Sequence, residues 1–259
     1  MSRWTDIPGW DLPSSGNKAR CNRFQADHFS YKEIEMGIRF FQCEAGRDLP
    51  LVLFLHGADA YGTDNVSQLS LHDVGTVFAD PKWQVEHPCH ILAPQYPKGK
   101  HWALPPVTEY TYELTMRYAE RFHADMSRLY VYGYSAGGIG TLSLLKRYPV
   151  FAAAVPICGA TEDSEMDELL RTPMWLYHAE DDPMVSPDSF EIVYYRLPHI
   201  GSNIIYERMC RLGHTEINYT RIPKGEMMEK YQLHPHCTWV LMGEDPEVKE
   251  WMFRKKRDL

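Results

Sequence analysis

The feature that most constrains the fold is an alternation of short, continuously apolar runs with longer amphipathic stretches. The clearest run is Leu51-Val52-Leu53-Phe54-Leu55, which ends at His56-Gly57. A strand that is apolar at every position is buried on both faces, as parallel strands at the centre of a sheet are. The alternation therefore predicts an α/β fold with a mostly parallel, twisted sheet and helices on both faces.

The other predicted elements follow the same alternation. Further strands are predicted at 90–93, where Pro94 closes the run, and at 128–132, 152–157, 174–177 and 217–222. Helices are predicted at about 109–123, at 139–148 before Pro149, at 198–212 beside the site, and at 246–253. The stretch from Cys158 to Pro173 is too short for an inserted helical domain. We therefore expect no large cap domain and a fairly open site.

The length of 259 residues suits one domain, because open α/β sheets of this size fold around a single core. No Gly/Ser/Pro-rich linker and no internal repeat divides the chain. We expect a single domain over 1–259, with residues 1–28 as an N-terminal extension packed on it. The oligomeric state is not predicted.

The charge balance excludes some classes of partner. With 27 basic and 35 acidic residues the formal net charge is −8. Nucleic acids and anionic membranes are bound through clustered positive charge, so neither is expected as a partner. The basic run 254–257 is interpreted as a solubilising helix end.

The N-terminal residues and the cysteines indicate the cellular compartment. The first residues contain no apolar run typical of a secretory signal. Six scattered cysteines form no C-x-x-C pair and no metal-finger spacing, which is typical of buried free thiols in a reducing compartment. We expect a cytoplasmic protein.

The pentapeptide Gly133-Tyr134-Ser135-Ala136-Gly137 fits the G-x-S-x-G pattern. It follows a predicted strand and precedes a predicted helix, the setting in which this pattern forms a sharp turn that exposes a nucleophilic serine. The serine in such a turn has a strained backbone, and side chains in place of the glycines would collide with the adjoining strand and helix. Ser135 is therefore the predicted nucleophile.

A serine nucleophile needs a histidine base, and the base needs a carboxylate that orients it. With this motif the partners follow in the chain order serine, acid, histidine. The loop after the predicted strand 174–177 offers three carboxylates, in Glu180-Asp181-Asp182. Asp182 is favoured because Pro183 fixes the loop there, with Asp181 as its main competitor.

The base is expected beyond the last predicted strand, which disfavours His214 and leaves His234 and His236. His214 is interpreted as capping the predicted helix before it. The cluster 234–237 has no second ligand group at site-like spacing, so we expect no metal and no cofactor.

Negative charge on a substrate carbonyl oxygen must be met by fixed N–H donors. The backbone N–H of Ala136, at a helix N-terminus directly after the serine, is one candidate. The second is expected in the loop 56–59, with Ala58 as the first choice. His56 is interpreted as a structural hydrogen-bonding group.

Taken together, these blocks resemble the compact, cap-free esterases of the α/β-hydrolase superfamily, among them dienelactone hydrolase-like, polyhydroxybutyrate depolymerase-type and feruloyl esterase-type enzymes and predicted peptidases. The resemblance spans about 29–253 and rests on the segments 53–57, 62–65, 93–95, 125–140, 148–159, 178–185, 236–239 and 245–251. In that family the base is a histidine followed three residues later by tryptophan, which selects His236 with Trp239. In the segment 178–185 the family has its catalytic acid four residues after a histidine, which selects Asp182 as the acid, four residues after His178.

The resemblance implies a serine hydrolase that cleaves small-molecule carboxylic esters through an acyl-enzyme. A peptidase or amidase on the same scaffold, or a catalytically silent binding protein, is the alternative. Trp102, Tyr134 and Trp239 are candidates for lining the pocket. The chain departs from the family pattern at Ala136 and Ala179, and above all in the lengthened region 198–235, so substrate identity does not carry over.

Overall fold

The computed structural model describes residues 6–162, 164–196 and 216–259. In these residues eight strands form one sheet: β1 (Gln25–Tyr31), β2 (Ile34–Phe41), β3 (Leu51–Leu55), β4 (His90–Gln95), β5 (Leu129–Tyr134), β6 (Ala153–Ile157), β7 (Met174–Ala179) and β8 (Ile217–Ile222). Their order is β1-β2-β4-β3-β5-β6-β7-β8. The pairs β1–β2 and β2–β4 are antiparallel, and the remaining neighbours are parallel. The predicted mostly parallel sheet is confirmed.

The described α-helices are α1 (Asn17–Cys21), α2 (Ser67–Ser70), α3 (Pro81–Glu86), α4 (Pro105–Phe122), α5 (Ala136–Arg147), α6 (Asp188–Glu191), α7 (Glu226–Tyr231), α8 (Trp239–Glu244) and α9 (Pro246–Phe253). Short 3₁₀ helices lie at Ala58–Ala60, Asp73–Ala79 and Met166–Arg171, and a π-helical turn lies at Ile192–Arg196. Among the described helices, none has the length and apolarity to cross a membrane.

Alternating side chains of β3 divide the core into two layers. Leu51, Leu53 and Leu55 pack with the apolar residues of α4 and α5 on one face of the sheet. Val52 and Phe54 pack with α8, α9 and the 3₁₀ helix Asp73–Ala79 on the other. Because successive side chains of a strand point to opposite faces, a strand apolar throughout needs cover on both sides. This is the arrangement that the sequence predicts.

Several element bounds differ from the prediction. α4 begins at Pro105 rather than near residue 109, because two prolines stand where a helix tolerates them, in its first turn. α5 begins directly after Ser135, since the sharp turn leads into the helix without a linker. β4 continues through Pro94: its pairing with β3 ends at Leu92, and the antiparallel pairing with β2 alone continues, with Ile38 opposite Pro94.

The antiparallel pair β1–β2 was not predicted, and it shortens the N-terminal extension. β1 begins at Gln25, so residues 25–28 belong to the sheet rather than to the extension. β1 lies at the edge with no buried residue, which leaves it without an apolar pattern. Before β1, Nδ2 of Asn17 in α1 donates to the carbonyl oxygen of Leu69 at 3.0 Å.

The strand ends position the candidate site. The loops after β3, β5 and β7 carry His56, Ser135 and Asp182, so all three lie at the carboxyl edge of the parallel strands. Between β6 and β7 the described residues hold only the short 3₁₀ helix Met166–Arg171. The predicted helix 198–212 and His214 lie outside the described residues.

Candidate active site

Ser135 occupies a sharp turn between β5 and α5. Its φ of 54° and ψ of −118° lie in a region that side chains rarely adopt. A Cβ on Gly137 would stand 1.9 Å from the carbonyl oxygen of Leu55, and one on Gly133 would stand 2.6 Å from that of Gly137. Glycine is therefore required at both positions, which confirms the steric reason for the motif.

The turn brings the Ser135 hydroxyl to the imidazole of His236. The Oγ of Ser135 donates to Nε2 of His236 at 2.9 Å, and Nδ1 of the same ring donates to Oδ2 of Asp182 at 2.6 Å. This places the proton of the neutral ring on Nδ1, because a carboxylate only accepts hydrogen bonds. The side chains of Asp182 and His236 are 0% and 2% exposed, so the contact between them is shielded from water, whereas the contact of His236 with Ser135 is partly buried.

The carboxylate of Asp182 is fixed by its own loop. Its Oδ1 accepts from the backbone N–H groups of Met184 at 2.8 Å and Val185 at 3.2 Å. Burial raises the pKa of Asp182, but the hydrogen bond and charge of His236 outweigh burial, so the pKa lies below its ordinary value. Asp182 is therefore held as an anion facing the imidazole.

The two competitors occupy other positions. Oδ2 of Asp181 accepts from the backbone N–H of Gly225 at 2.9 Å, on the side of α7. Nδ1 of His234 accepts from the backbone N–H of His236 at 3.2 Å, so this ring supports the loop. The structure thus brings Asp182 and His236, rather than Asp181 and His234, to Ser135.

The predicted oxyanion donors border the same serine. Ala136 is the first residue of α5, where backbone N–H groups have no acceptor within the helix. Ala58 begins the 3₁₀ helix Ala58–Ala60 after β3. A depression of about 190 Å³ lies over Ser135 and is lined by Trp10, Ala58, Asp59, Tyr134, Ser135, Met184, His236 and Trp239.

Of the three aromatic residues proposed for the pocket, Tyr134 and Trp239 line this depression and Trp102 does not. Trp102 is 1% exposed and its Nε1 donates to the carbonyl oxygen of His56 at 2.9 Å. Its ring fills the space over Gly140 in α5, where a Cβ would stand 2.3 Å from that of Trp102. Trp102 is therefore a core residue behind the site. Its burial is tolerated because its Nε1 has a backbone acceptor.

His56 has the structural role that the sequence predicts. Its Nδ1 donates to the carbonyl oxygen of Gly57 at 2.7 Å, and its Nε2 accepts from the backbone N–H of Tyr96 at 3.3 Å. Burial lowers the pKa of His56 to about 4, so the ring stays neutral. The histidine ties the loop after β3 to the loop after β4.

Comparison with solved structures identifies the fold. A thermostable esterase superposes with a TM-score of 0.81 and 31% sequence identity, over 92% of this chain and 64% of the esterase. The chain belongs to the α/β-hydrolase superfamily. The acylaminoacyl peptidase of Pyrococcus horikoshii (TM-score 0.59, 14% identity) and an arylesterase (0.58, 13%) share the fold. Each of these two superpositions covers 92% of this chain.

The chain spans 64% of the length of the esterase and 42% of that of the peptidase, and it spans 90% of the arylesterase. No protein-family model and no curated protein matches its sequence.

A buried polar network lies beside the candidate site and was not predicted. His72 donates from Nδ1 to Asp11 at 2.9 Å and from Nε2 to Asp59 at 2.6 Å. The hydroxyl of Tyr134 donates to Asp59 at 2.7 Å, and Nε1 of Trp239 donates to Asp11 at 2.9 Å. Single polar residues far apart in the sequence leave no pattern, so no sequence signal was available for this network.

Proposed function

We propose that this chain is a serine hydrolase that cleaves carboxylic esters through an acyl-enzyme intermediate. Ser135 is the nucleophile, His236 the general base and then general acid, and Asp182 the group that orients the imidazole. The observation that carries the proposal is the unbroken hydrogen-bonded chain from the Ser135 hydroxyl through His236 to Asp182. Coupling of this kind activates a hydroxyl that is a weak nucleophile at neutral pH.

In the acylation step, Oγ of Ser135 bonds to the carbonyl carbon while its proton moves to Nε2 of His236. The carbonyl oxygen becomes negative and is met by the N–H groups of Ala136 and Ala58. As the oxyanion collapses, the ester C–O bond breaks and Nε2 gives the proton to the leaving alcohol. Water then attacks the acyl carbon and delivers a proton to Nε2. The bond from the acyl carbon to Oγ of Ser135 breaks, Nε2 returns the proton to Oγ, and the acid is released.

The surroundings support a small-molecule substrate. The depression over Ser135 is small and walled by aromatic rings, among them Trp10, Tyr134 and Trp239. Such a surface suits an apolar acyl or aryl group. The net charge of −8 gives no reason to expect nucleic acid or membrane as the partner.

Replacement of the nucleophile tests the proposal. The variant Ser135→Ala should hydrolyse p-nitrophenyl acetate about 10⁴-fold more slowly than the unaltered protein, because the covalent step is lost. A fluorophosphonate probe should label the unaltered protein at Ser135 and leave the variant unlabelled. Unchanged hydrolysis by the variant, or an unlabelled active protein, would refute the proposal.

The two neighbouring aspartates provide a matched pair of variants. Asp182→Asn should lower kcat by about 10³- to 10⁴-fold, because an amide cannot hold the imidazole in the required tautomer. Asp181→Asn should stay within about threefold of the unaltered protein, since its side-chain oxygen can still accept from Gly225. Steady-state kinetics on one ester measures both, and the reverse ranking would transfer the orienting role to Asp181.

The acylaminoacyl peptidase among the structural relatives makes an amide the second substrate class to examine. The same residues cleave an amide when Nε2 of His236 protonates the leaving amine. Turnover of matched acetyl esters and acetyl anilides with one leaving-group ring separates the two activities. A higher kcat/KM on the anilide would replace esterase by amidase in the proposal.

A further inference from the structure

His72 is enclosed between two carboxylates. The distances from its ring nitrogens to Asp11 Oδ2 and Asp59 Oδ2 are 2.9 and 2.6 Å, and the side chains of His72 and Asp59 are each 4% exposed. Since carboxylates only accept, both ring nitrogens must donate, and the ring is an imidazolium. Burial lowers the pKa of His72, but the hydrogen bonds and charges of Asp11 and Asp59 raise it to about 9.

On one side, His72 is linked through Asp59 to the loop 56–59 after β3, here called the oxyanion loop. Asp59 follows Ala58 directly, and its other carboxylate oxygen accepts from the hydroxyl of Tyr134, the residue before Ser135. The ring of Tyr134 lies against Gly57, where a Cβ would stand 2.3 Å from it. Asp59 therefore connects the loop that supplies one oxyanion donor to the turn that carries the nucleophile.

On the other side, His72 is linked through Asp11 to the segment between α7 and α8 that carries His236, here called the histidine loop. Oδ2 of Asp11 accepts both from His72 and from Nε1 of Trp239, three residues after His236. The preceding residue, Trp10, lies with its ring stacked on the imidazole of His236, at 6.1 Å between centroids and 30° between planes. The N-terminal segment thus lies beside the base through Trp10 and is joined to His72 through Asp11.

We propose that His72 is a positioning residue that holds the oxyanion loop and the histidine loop in register with Ser135, through Asp59 and Asp11. This inference rests on the function proposed above. His72 is buried behind Asp59, so it acts through its partners rather than on the substrate. Its loss should therefore misplace catalytic groups and lower kcat, while binding of the ester is preserved.

The test compares two buried histidines replaced in the same way. In His72→Asn the side chain can no longer donate to both carboxylates. His90→Asn is the control: His90 is 1% exposed, lies at the start of β4 away from the site, and accepts from the backbone N–H of Cys43 at 3.2 Å. An asparagine oxygen can take over that contact.

For each variant, kcat and KM on p-nitrophenyl acetate and the rate of fluorophosphonate labelling of Ser135 are measured on folded protein. We expect His72→Asn to lower kcat and the labelling rate about 10- to 100-fold with KM within about threefold, since displacement of catalytic groups by about 1 Å costs about 10²-fold. His90→Asn should lower thermal stability at most and leave kcat unchanged.

The outcomes separate the two proposals. If the unaltered protein neither cleaves the ester nor reacts with the probe, the proposed function fails and this inference fails with it. If the unaltered protein is active and His72→Asn keeps its kcat, the inference alone is overturned. Should His72→Asn not fold, Asp11→Asn, which keeps an acceptor for Trp239, is measured instead. A lowered kcat then supports the positioning role, and an unchanged kcat overturns it.

Discussion

Two histidines near Ser135 bond through both ring nitrogens, and the nature of their partners gives them opposite properties. His236 faces one carboxylate and one hydroxyl, so its Nδ1 donates to Asp182 and its Nε2 can accept from Ser135 and take up that proton. His72 has a carboxylate on each side, so it already carries both protons. A charged ring cannot act as a base, and this confines His72 to holding its neighbours in place.

The charge of His72 makes a prediction about stability. Its pKa is raised from 6.5 to about 9 on folding, so the protonated ring stabilises the fold fully below a pH of about 6.5, and this contribution is lost as the pH rises through about 9. The groups facing it are Asp11, Asp59 and Tyr134, and the pKa of Tyr134 lies well above 10. The free energy of unfolding should therefore fall between about pH 7 and 10.

Urea unfolding at several pH values measures this effect, and His72→Asn serves as its control. The variant should be less stable near neutral pH and should lose less stability toward alkaline pH, because the titrating group is gone. A variant with the same pH dependence as the unaltered protein would contradict the assignment of this effect to His72.

At the scale of the elements, the turn between β5 and α5 is defined by close backbone packing. α5 starts immediately after Ser135 and packs against the end of β3, with Gly137 against the Leu55 carbonyl. On the other side, Gly138 and Gly159 lie in contact, which brings α5 against the end of β6. The strained backbone of Ser135 persists because these contacts fix the position of the first turn of α5 on both sides.

Gly137→Ala should therefore destabilise the protein by about 3 kcal/mol or more, because the added methyl overlaps a backbone carbonyl that cannot move alone. Gly16→Ala is the control, since its Cβ meets only side-chain atoms, Nη1 of Arg20 at 3.2 Å and Oγ of Ser14 at 3.7 Å, and it should change stability by less than about 1 kcal/mol. Chemical unfolding compares the two. If Gly137→Ala were as stable as Gly16→Ala, α5 would be able to move away from Leu55 at little cost in free energy, and the prediction would be wrong.

At the scale of the whole molecule, the order of the strands assembles the site. Ser135 and His236 are 101 residues apart in the chain, and His236 and Asp182 are 54 apart. They meet because parallel strands present the loops at their carboxyl ends along one edge of the sheet. The N-terminal segment, which precedes the sheet, returns to the same edge and adds Trp10 and Asp11 to the surroundings of the site.

The sequence by itself determined the parts of this protein that follow local rules. Continuous apolarity predicted β3, and the alternation of apolar and amphipathic stretches predicted the parallel sheet. The position of Ser135 between a predicted strand and a predicted helix predicted the sharp turn with its required glycines. The loops that hold the acid and the base followed from chain order. Within each loop, two candidates remained until the family pattern separated Asp182 from Asp181 and His236 from His234.

Only the tertiary structure decided the features that depend on contacts between distant residues. The edge strand β1 shows no apolar periodicity, because its residues are not buried, and Trp102 carries nothing in its own sequence that tells core from pocket. Asp11, Asp59 and His72 are single polar residues in separate segments. Their significance arises only when folding encloses them together, because a buried charge must be paired there and a charge in water need not be.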